Sequence, residues 1–399
     1  MKIRLLIANA YVGGGTARTT LSTASALAQR GHDVEIVSVL RRREKLTFPL
    51  DPRVRVVDLV DEWSIKNRLV PPSDPRGRAR EAWRRVAQPR RSLVGHRADR
   101  RTEEWSLYTD LELVRFLRSV RDGVLVGTRP AINLAMARLT RPGVVRVAQD
   151  HMNLATYRPR LRQSMARWYP RLDAVVCLTA GDAAQYGPML RGRTRVLDIP
   201  NGVPDLGGHR AQLDSKVVIS AGRIARQKGY DRLLPVWARI AEQRPDWRLE
   251  IYGAGPPEIE EPLRRQLESL GIQDSAKLMG RTSELFARMA EASLYVMTSR
   301  REGLPMVLLE AMGVGLPVIA YDCPTGPRDV ITDGIDGYVV PNGDEQALEA
   351  RMLELMDDPD ARVRLATAAR RTAADYDVAR LAERWERLFE ELGAAKAKR

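Results

Sequence analysis

Short apolar runs alternate with amphipathic stretches along almost the whole chain. Residues 2–9 (KIRLLIAN) read as a strand, followed by the glycine turn Gly13-Gly14-Gly15 and a helical pattern that continues through Arg30. Gly31 stops that helix, and VEIVSV at 34–39 is the next strand. Further runs fall at 54–59, 124–128, 144–148, 174–179 and 195–199, with helical patterns between most of them. Strands alternating with helices predict an α/β fold: a parallel sheet covered on both faces and joined by right-handed crossovers.

IPNGVPD at 199–205 breaks the rhythm with two prolines and an Asn-Gly, the signature of a turn between units. The alternation then restarts. Strands are expected at 216–222, 248–255, 294–299, 317–322 and 337–340, and helices at 229–243, 304–313, 344–373 and 376–392. Two domains of one architectural class follow: 1–200 and 206–375, with 376–399 as a C-terminal helix. Residues 61–105 interrupt the first domain with an insertion rich in Arg, Pro and Trp. It carries twelve basic residues from Lys66 to Arg101, punctuated by Trp63, Trp83 and Trp105. Insertions of this length are usually functional or mobile.

At 399 residues the chain has room for two cores, and 44% hydrophobic residues can fill them. The net charge of +14 favours an anionic partner: nucleic acid, a membrane surface or a phosphorylated substrate. No nucleic-acid module or aromatic stacking platform is present, so nucleic acid is not expected. Two cysteines, Cys177 and Cys323, show neither pairing nor metal-ligand spacing. The N-terminus lacks a signal-peptide core, and no apolar run reaches the ~18 residues of a membrane span. A cytoplasmic protein is the expectation.

Three segments carry candidate chemistry. In AGRIARQKG (221–229) a strand delivers Gly222, Arg223 and Lys228 at its carboxyl end. Such cations bracket a diphosphate, with help from the following helix N-terminus, or else form a solvated basic loop. In REGLPMVLLEAMG (301–313), Glu302 lies in a loop and Glu310 in the apolar helix after it. A carboxylate so placed needs donors, from sugar or ribose hydroxyls or from an arginine. Gly303, Leu304, Pro305 and Met306 open that helix and leave amides free for an anion. In VAQDHMN, His151 follows a strand of the first domain, where open α/β sheets bind ligands; an ordinary loop histidine is the other reading.

The ordered set resembles glycosyltransferase family 4 of the GT-B superfamily: GGG after the first strand, His151, PNGV, GR-I-x-x-x-K-G, and Glu302 eight residues before Glu310. The loop Asp322–Pro327 resembles the bacterial surface-polysaccharide subgroup. The resemblance implies two Rossmann-like domains facing a central cleft, with the C-terminal helix returning to the first. It implies a retaining transfer of a hexose or N-acetylhexosamine from a nucleotide diphosphate sugar, UDP favoured, to a hydroxyl. No metal or other cofactor is required. By resemblance Arg223 and Lys228 hold the diphosphate, Glu310 the ribose, Glu302 the donor sugar, and the amides of Gly303 to Met306 the sugar or phosphate. Gly14 and Gly15 admit the diphosphate, Met279, Gly280 and Arg281 lie beside the base, and His151 lies near the sugar and acceptor. One departure stands out: Thr16 and Ala17 replace the usual Gly-Gly-x-Glu continuation.

The acceptor is expected to be a sugar, a lipid-linked glycan or a small molecule. The insertion 61–105 is expected to rest on an anionic membrane, at the inner face of the plasma membrane, through its arginines and three tryptophans. Rival classes are a GT-B phosphorylase or sugar-nucleotide epimerase, a membrane- or nucleic-acid-binding protein, and an NAD-dependent oxidoreductase. The last lacks the full G-x-G-x-x-G spacing.

Overall fold

In a computed structural model, which describes residues 1–67, 75–99, 102–192 and 194–398, the chain divides into two units. One comprises Met1–Gly202 and Val378–Arg399, the other Val203–Asp377.

The first unit holds seven parallel strands: β1 Lys2–Ile7, β2 Asp33–Arg41, β3 Arg55–Asp61, β4 Val124–Gly127, β5 Val145–Gln149, β6 Ala174–Cys177 and β7 Arg195–Asp198. Their order is β3-β2-β1-β4-β5-β6-β7. Central strands such as β4 and β6 are buried along their whole length, as expected where helices cover both faces. One face packs Leu113, Leu117, Ile132 and Met165 from the helices at Leu107–Ser119, Pro130–Leu139 and Pro159–Trp168. The other takes Leu21 and Leu27 from the helix Gly15–Gln29, together with Trp385 and Phe389 from the helix Val378–Ala397. That last helix therefore belongs to the first unit. Arg30 ties the two helices by pairing with Glu383 and Glu386.

The second unit has six parallel strands: β8 Val217–Ala221, β9 Arg248–Tyr252, β10 Ala276–Gly280, β11 Leu294–Met297, β12 Val318–Tyr321 and β13 Tyr338–Val340. Their order is β10-β9-β8-β11-β12-β13. The helix Tyr230–Gln243 buries Leu233, Leu234, Trp237 and Ile240 on one face of this sheet.

In each sheet the strand order reverses once, at β1/β4 and at β8/β11. Loops leaving the carboxyl ends of those strands part there and open a crevice. The loops after β1, β4 and β5 carry Gly13–Gly15, Arg129 and His151. Those after β8 and β11 carry Gly222, Arg223, Lys228 and Glu302.

Three elements differ from expectation. The helix before Gly315 spans Met306–Val314 and starts only after Pro305, so Glu310 lies just over one turn in. The stretch 344–373 is two helices, Glu345–Asp357 and Pro359–Ala374. Asp358 ends the first and caps the second through Ala361 N, and Pro359 occupies the first helical position. The insertion is partly helical, at Glu62–Lys66 and Pro75–Ala87.

Candidate functional site

In the second unit β8 ends at Ala221, and Gly222 turns the chain at φ +153°. Its carbonyl accepts from Tyr230 Oη at 3.3 Å, and that of Ala221 accepts from Tyr295 Oη at 3.3 Å. Both tyrosines are buried. Gly253 and Gly255, after β9, press on the same loop. A Cβ at Gly253 would lie 1.8 Å from Gly222 O, and one at Gly255 2.1 Å from Ile224 O. The peptides around Arg223 are thus held from both sides. Arg223 itself is exposed and has no carboxylate within ion-pair distance among the described residues.

Lys228 closes the short 3-10 turn Arg226–Lys228, and Gly229 (φ +69°) caps the helix behind it. Its Nζ lies 2.8 Å from Glu302 Oε1, with both side chains largely buried. Ser299 Oγ donates to the same oxygen at 2.6 Å. Glu302 is anchored by its backbone to the loop after β12: its N–H donates to Pro324 O, and its carbonyl accepts from Thr325 N–H. Gly326 lets that loop lie against Gly303 and Pro305, since a Cβ there would be 2.3 Å from Gly303 O. Cys323, in this loop, is pushed up to about 12 by burial first and then by Glu302.

Glu310 is fully buried on the helix Met306–Val314. Burial, then Tyr230, Glu302 and Glu310 raise the phenol of Tyr295 well above its ordinary value. Both carboxylates therefore act on one buried ring beside β8. No side chain caps this helix at Pro305. Gly303 is partly exposed, Leu304 and Pro305 are buried, and Met306 is partly buried. Met279 and Arg281 are exposed at the end of β10, with Gly280 (φ +76°) between them. The structure thus gathers Gly222, Lys228, Glu302 and the Met306 helix start around the β8/β11 switch point. Tyr230, Tyr295, Ser299, Gly253 and Gly255 join them. Those five carry no motif. The only signal for the glycines was their position at a strand's carboxyl end.

In the first unit a Cβ at Gly14 or Gly15 would meet nothing within 4 Å. No neighbour within the unit requires glycine there, which is consistent with room kept for a ligand. His151 follows β5. Among the described residues neither ring nitrogen has a hydrogen-bond partner, and both are shielded from solvent. Burial, then the nearby Arg129 cation, lower its pKa to about 3, so the ring is neutral near pH 7. Arg129 pairs with Asp99 at 3.0 Å. Asp150 is buried and accepts from Tyr157 Oη at 3.2 Å and from Tyr186 Oη. Of the other histidines, His32 reaches Glu386 and His96 reaches Ser164.

Burial raises Asp150 from 3.8 to about 6, against the opposing hydrogen bonds of the two tyrosines. The fold therefore disfavours its charge. That penalty is absent below pH 3.8, grows as pH rises, and is complete above about 6. In Asp150→Asn the stability difference from wild type should shift in favour of the variant by ~3 kcal/mol between pH 3.5 and pH 7. Urea unfolding at the two pH values measures it, and a difference that does not move with pH would refute the desolvated carboxylate.

The insertion corrects one expectation. Trp105 is buried in the first core, and Trp63 is partly buried under Arg41. Only Trp83, 62% exposed, is free to reach an interface. Arg84 and Arg85 are engaged by Glu81. Burying a large ring yields more than leaving it in water, so tryptophans read as anchors were taken by the core. Arg68, Arg100 and Arg101 lie outside the described residues.

Residues 207–372 match the family of glycosyl transferases group 1. An exopolysaccharide phosphotransferase of Streptomyces coelicolor is 32% identical over 98% of this chain, which spans 41% of that protein's length. The amylovoran biosynthesis glycosyltransferase AmsD of Erwinia amylovora is 25% identical, over 96% of this chain and 98% of its own. Among solved structures, a point mutant of S. aureus TarM in complex with fondaparinux, alpha-GlcNAc-glycerol and UDP has a similar fold. It is 14% identical, with a TM-score of 0.74 over 97% of this chain and 99% of its own. Residues 207–372 thus carry a glycosyl transferases group 1 domain, the two parallel sheets with loops at their switch points have the GT-B fold, and the chain is similar to glycosyltransferases of bacterial surface-polysaccharide synthesis.

Proposed function

We propose that the chain transfers a hexose or N-acetylhexosamine from a UDP-sugar, with retention, to a hydroxyl of a growing surface glycan. The acceptor is a sugar, carried on a lipid at the inner face of the plasma membrane. The observation that carries this reading is Lys228 beside Glu302, with Arg223 exposed on the same switch-point loops. Arriving phosphate oxygens compete for Lys228 and draw it from Glu302. Glu302, still held through Oε1 by Ser299, offers its other carboxylate oxygen to a sugar hydroxyl. Arg223 adds a planar fork for the diphosphate. Glu310 takes the ribose, Met279 to Arg281 flank the base, and the glycine turn and His151 serve from the first unit. As the glycosidic bond breaks, charge grows on the leaving diphosphate, where fixed cations stabilise it. UDP is preferred because it accompanies the structurally similar TarM.

The test is a screen of UDP-, GDP-, ADP- and TDP-sugars for hydrolysis, followed by the anomeric configuration of the product. Preference for a non-uridine donor, or an inverted anomer, would refute the corresponding part. The cations replace a metal in this scheme. Turnover is therefore expected to survive excess EDTA unchanged; loss on chelation with recovery on Mg2+ or Mn2+ would refute the charge assignment.

A further inference from the structure

From His151 to Leu172 the chain contains no acidic residue and five arginines: Arg158, Arg160, Arg162, Arg167 and Arg171. All five are exposed. Elsewhere arginines pair with carboxylates, as at Arg30, Arg53 and Arg244. Among the described residues none of these five, nor Arg138, has a carboxylate within ion-pair distance.

The helix Pro159–Trp168 explains the display. Leu161 and Met165 face the core, which turns Arg160, Arg162 and Arg167 outward. Trp168 is sheathed by guanidinium groups, with Arg138, Arg167 and Arg171 at 5.3, 5.3 and 4.4 Å from its centroid. The ring holds three like charges together without neutralising them. Apolar side chains flank the patch. Met152 is 50% exposed just upstream. Leu93 is 79% exposed in the insertion loop whose His96 bonds to Ser164 on this helix at 2.9 Å.

We propose that this face, rather than the tryptophans of the insertion, docks the protein on an anionic bilayer. The proposal rests on the reading above that the acceptor is lipid-linked. Unpaired arginines on a convex helix face suit a plane of headgroups. Exposed leucine and methionine gain by leaving water at the acyl boundary, which a soluble polyanion does not offer. Each arginine near such a surface contributes about fivefold to partitioning.

The test is co-sedimentation of the full chain with phosphatidylglycerol/phosphatidylcholine vesicles and with phosphatidylcholine alone. Binding should require the anionic lipid and fall with salt. Changing Arg160, Arg162, Arg167 and Arg171 to Gln should weaken it by several hundredfold, while UDP-sugar hydrolysis in solution persists. That persistence separates failure of this proposal from failure of the transferase reading. Arg160→Gln with Arg162→Gln touches no ring, and should weaken binding about 30-fold even if the fourfold variant does not fold. Four Arg→Lys changes should preserve it. Unaltered binding by the Gln variants, equal binding to neutral vesicles, capture by soluble polyphosphate but not by vesicles, or loss confined to Trp83→Ser would each overturn the proposal.

Discussion

Replacing Lys228 with alanine is expected to lower kcat by about 10²–10³ with the fold intact, and Arg223→Ala to do the same. Lys228 is largely buried and lies 2.8 Å from Glu302, so its charge is already at the site when the diphosphate arrives and is in place before the glycosidic bond breaks. A preorganised cation needs no reorganisation as charge develops on the leaving diphosphate, which is why its removal acts on the rate. The two variants differ in one respect. Lys228→Ala also leaves Glu302 as a largely buried carboxylate bonded only through Ser299, so donor affinity should weaken further through repulsion of the diphosphate. Steady-state rates and nucleotide titrations of folded protein measure both effects. Near-wild-type turnover by either variant would refute the role of that cation.

Gly253→Ala is expected to lower turnover about a hundredfold without contacting any substrate. The new Cβ would lie 1.8 Å from Gly222 O, where an ordinary C···O approach is about 3.3–3.6 Å. The loop must therefore retreat by more than ~1 Å, and misplacement of that size costs about 10²-fold at a reacting centre. Gly271→Ala is the control. It also has positive φ, at +67°, but nothing lies within 4 Å of its Cβ, so it should lose only ~1–2 kcal/mol of stability and keep its rate. If Gly253→Ala folds and works normally, the loop is not held as described.

The strands were legible because buried parallel strands leave near-continuous apolar runs. All those anticipated are present, shifted by one to three residues at their ends. Lys228 and Glu302 were legible as motif members. Their pairing was not, because 74 residues separate them and only the β8/β11 adjacency joins them. Tyr230 and Tyr295 were invisible for a related reason: aromatic residues on core faces look like packing, and only geometry reveals that their hydroxyls hold the Ala221 and Gly222 carbonyls. Reading Trp105 as an interfacial anchor failed because composition counts tryptophans without saying which way they point. The unpaired arginines after His151 were equally hidden, since a charge run does not disclose which members find partners.

The path of the chain has a consequence for synthesis. The second unit lies in sequence between Gly202 and Val378, both of the first unit, and its own ends meet where Val203 pairs with Asp377. One face of the first sheet is completed only by Trp385, Phe389 and their neighbours. Until residues 378–397 are made the first unit keeps part of its apolar face open, whereas every residue of the second unit has by then been joined. The half translated first is the half finished last, and through that interval its exposed face is the part of the molecule most in need of a chaperone.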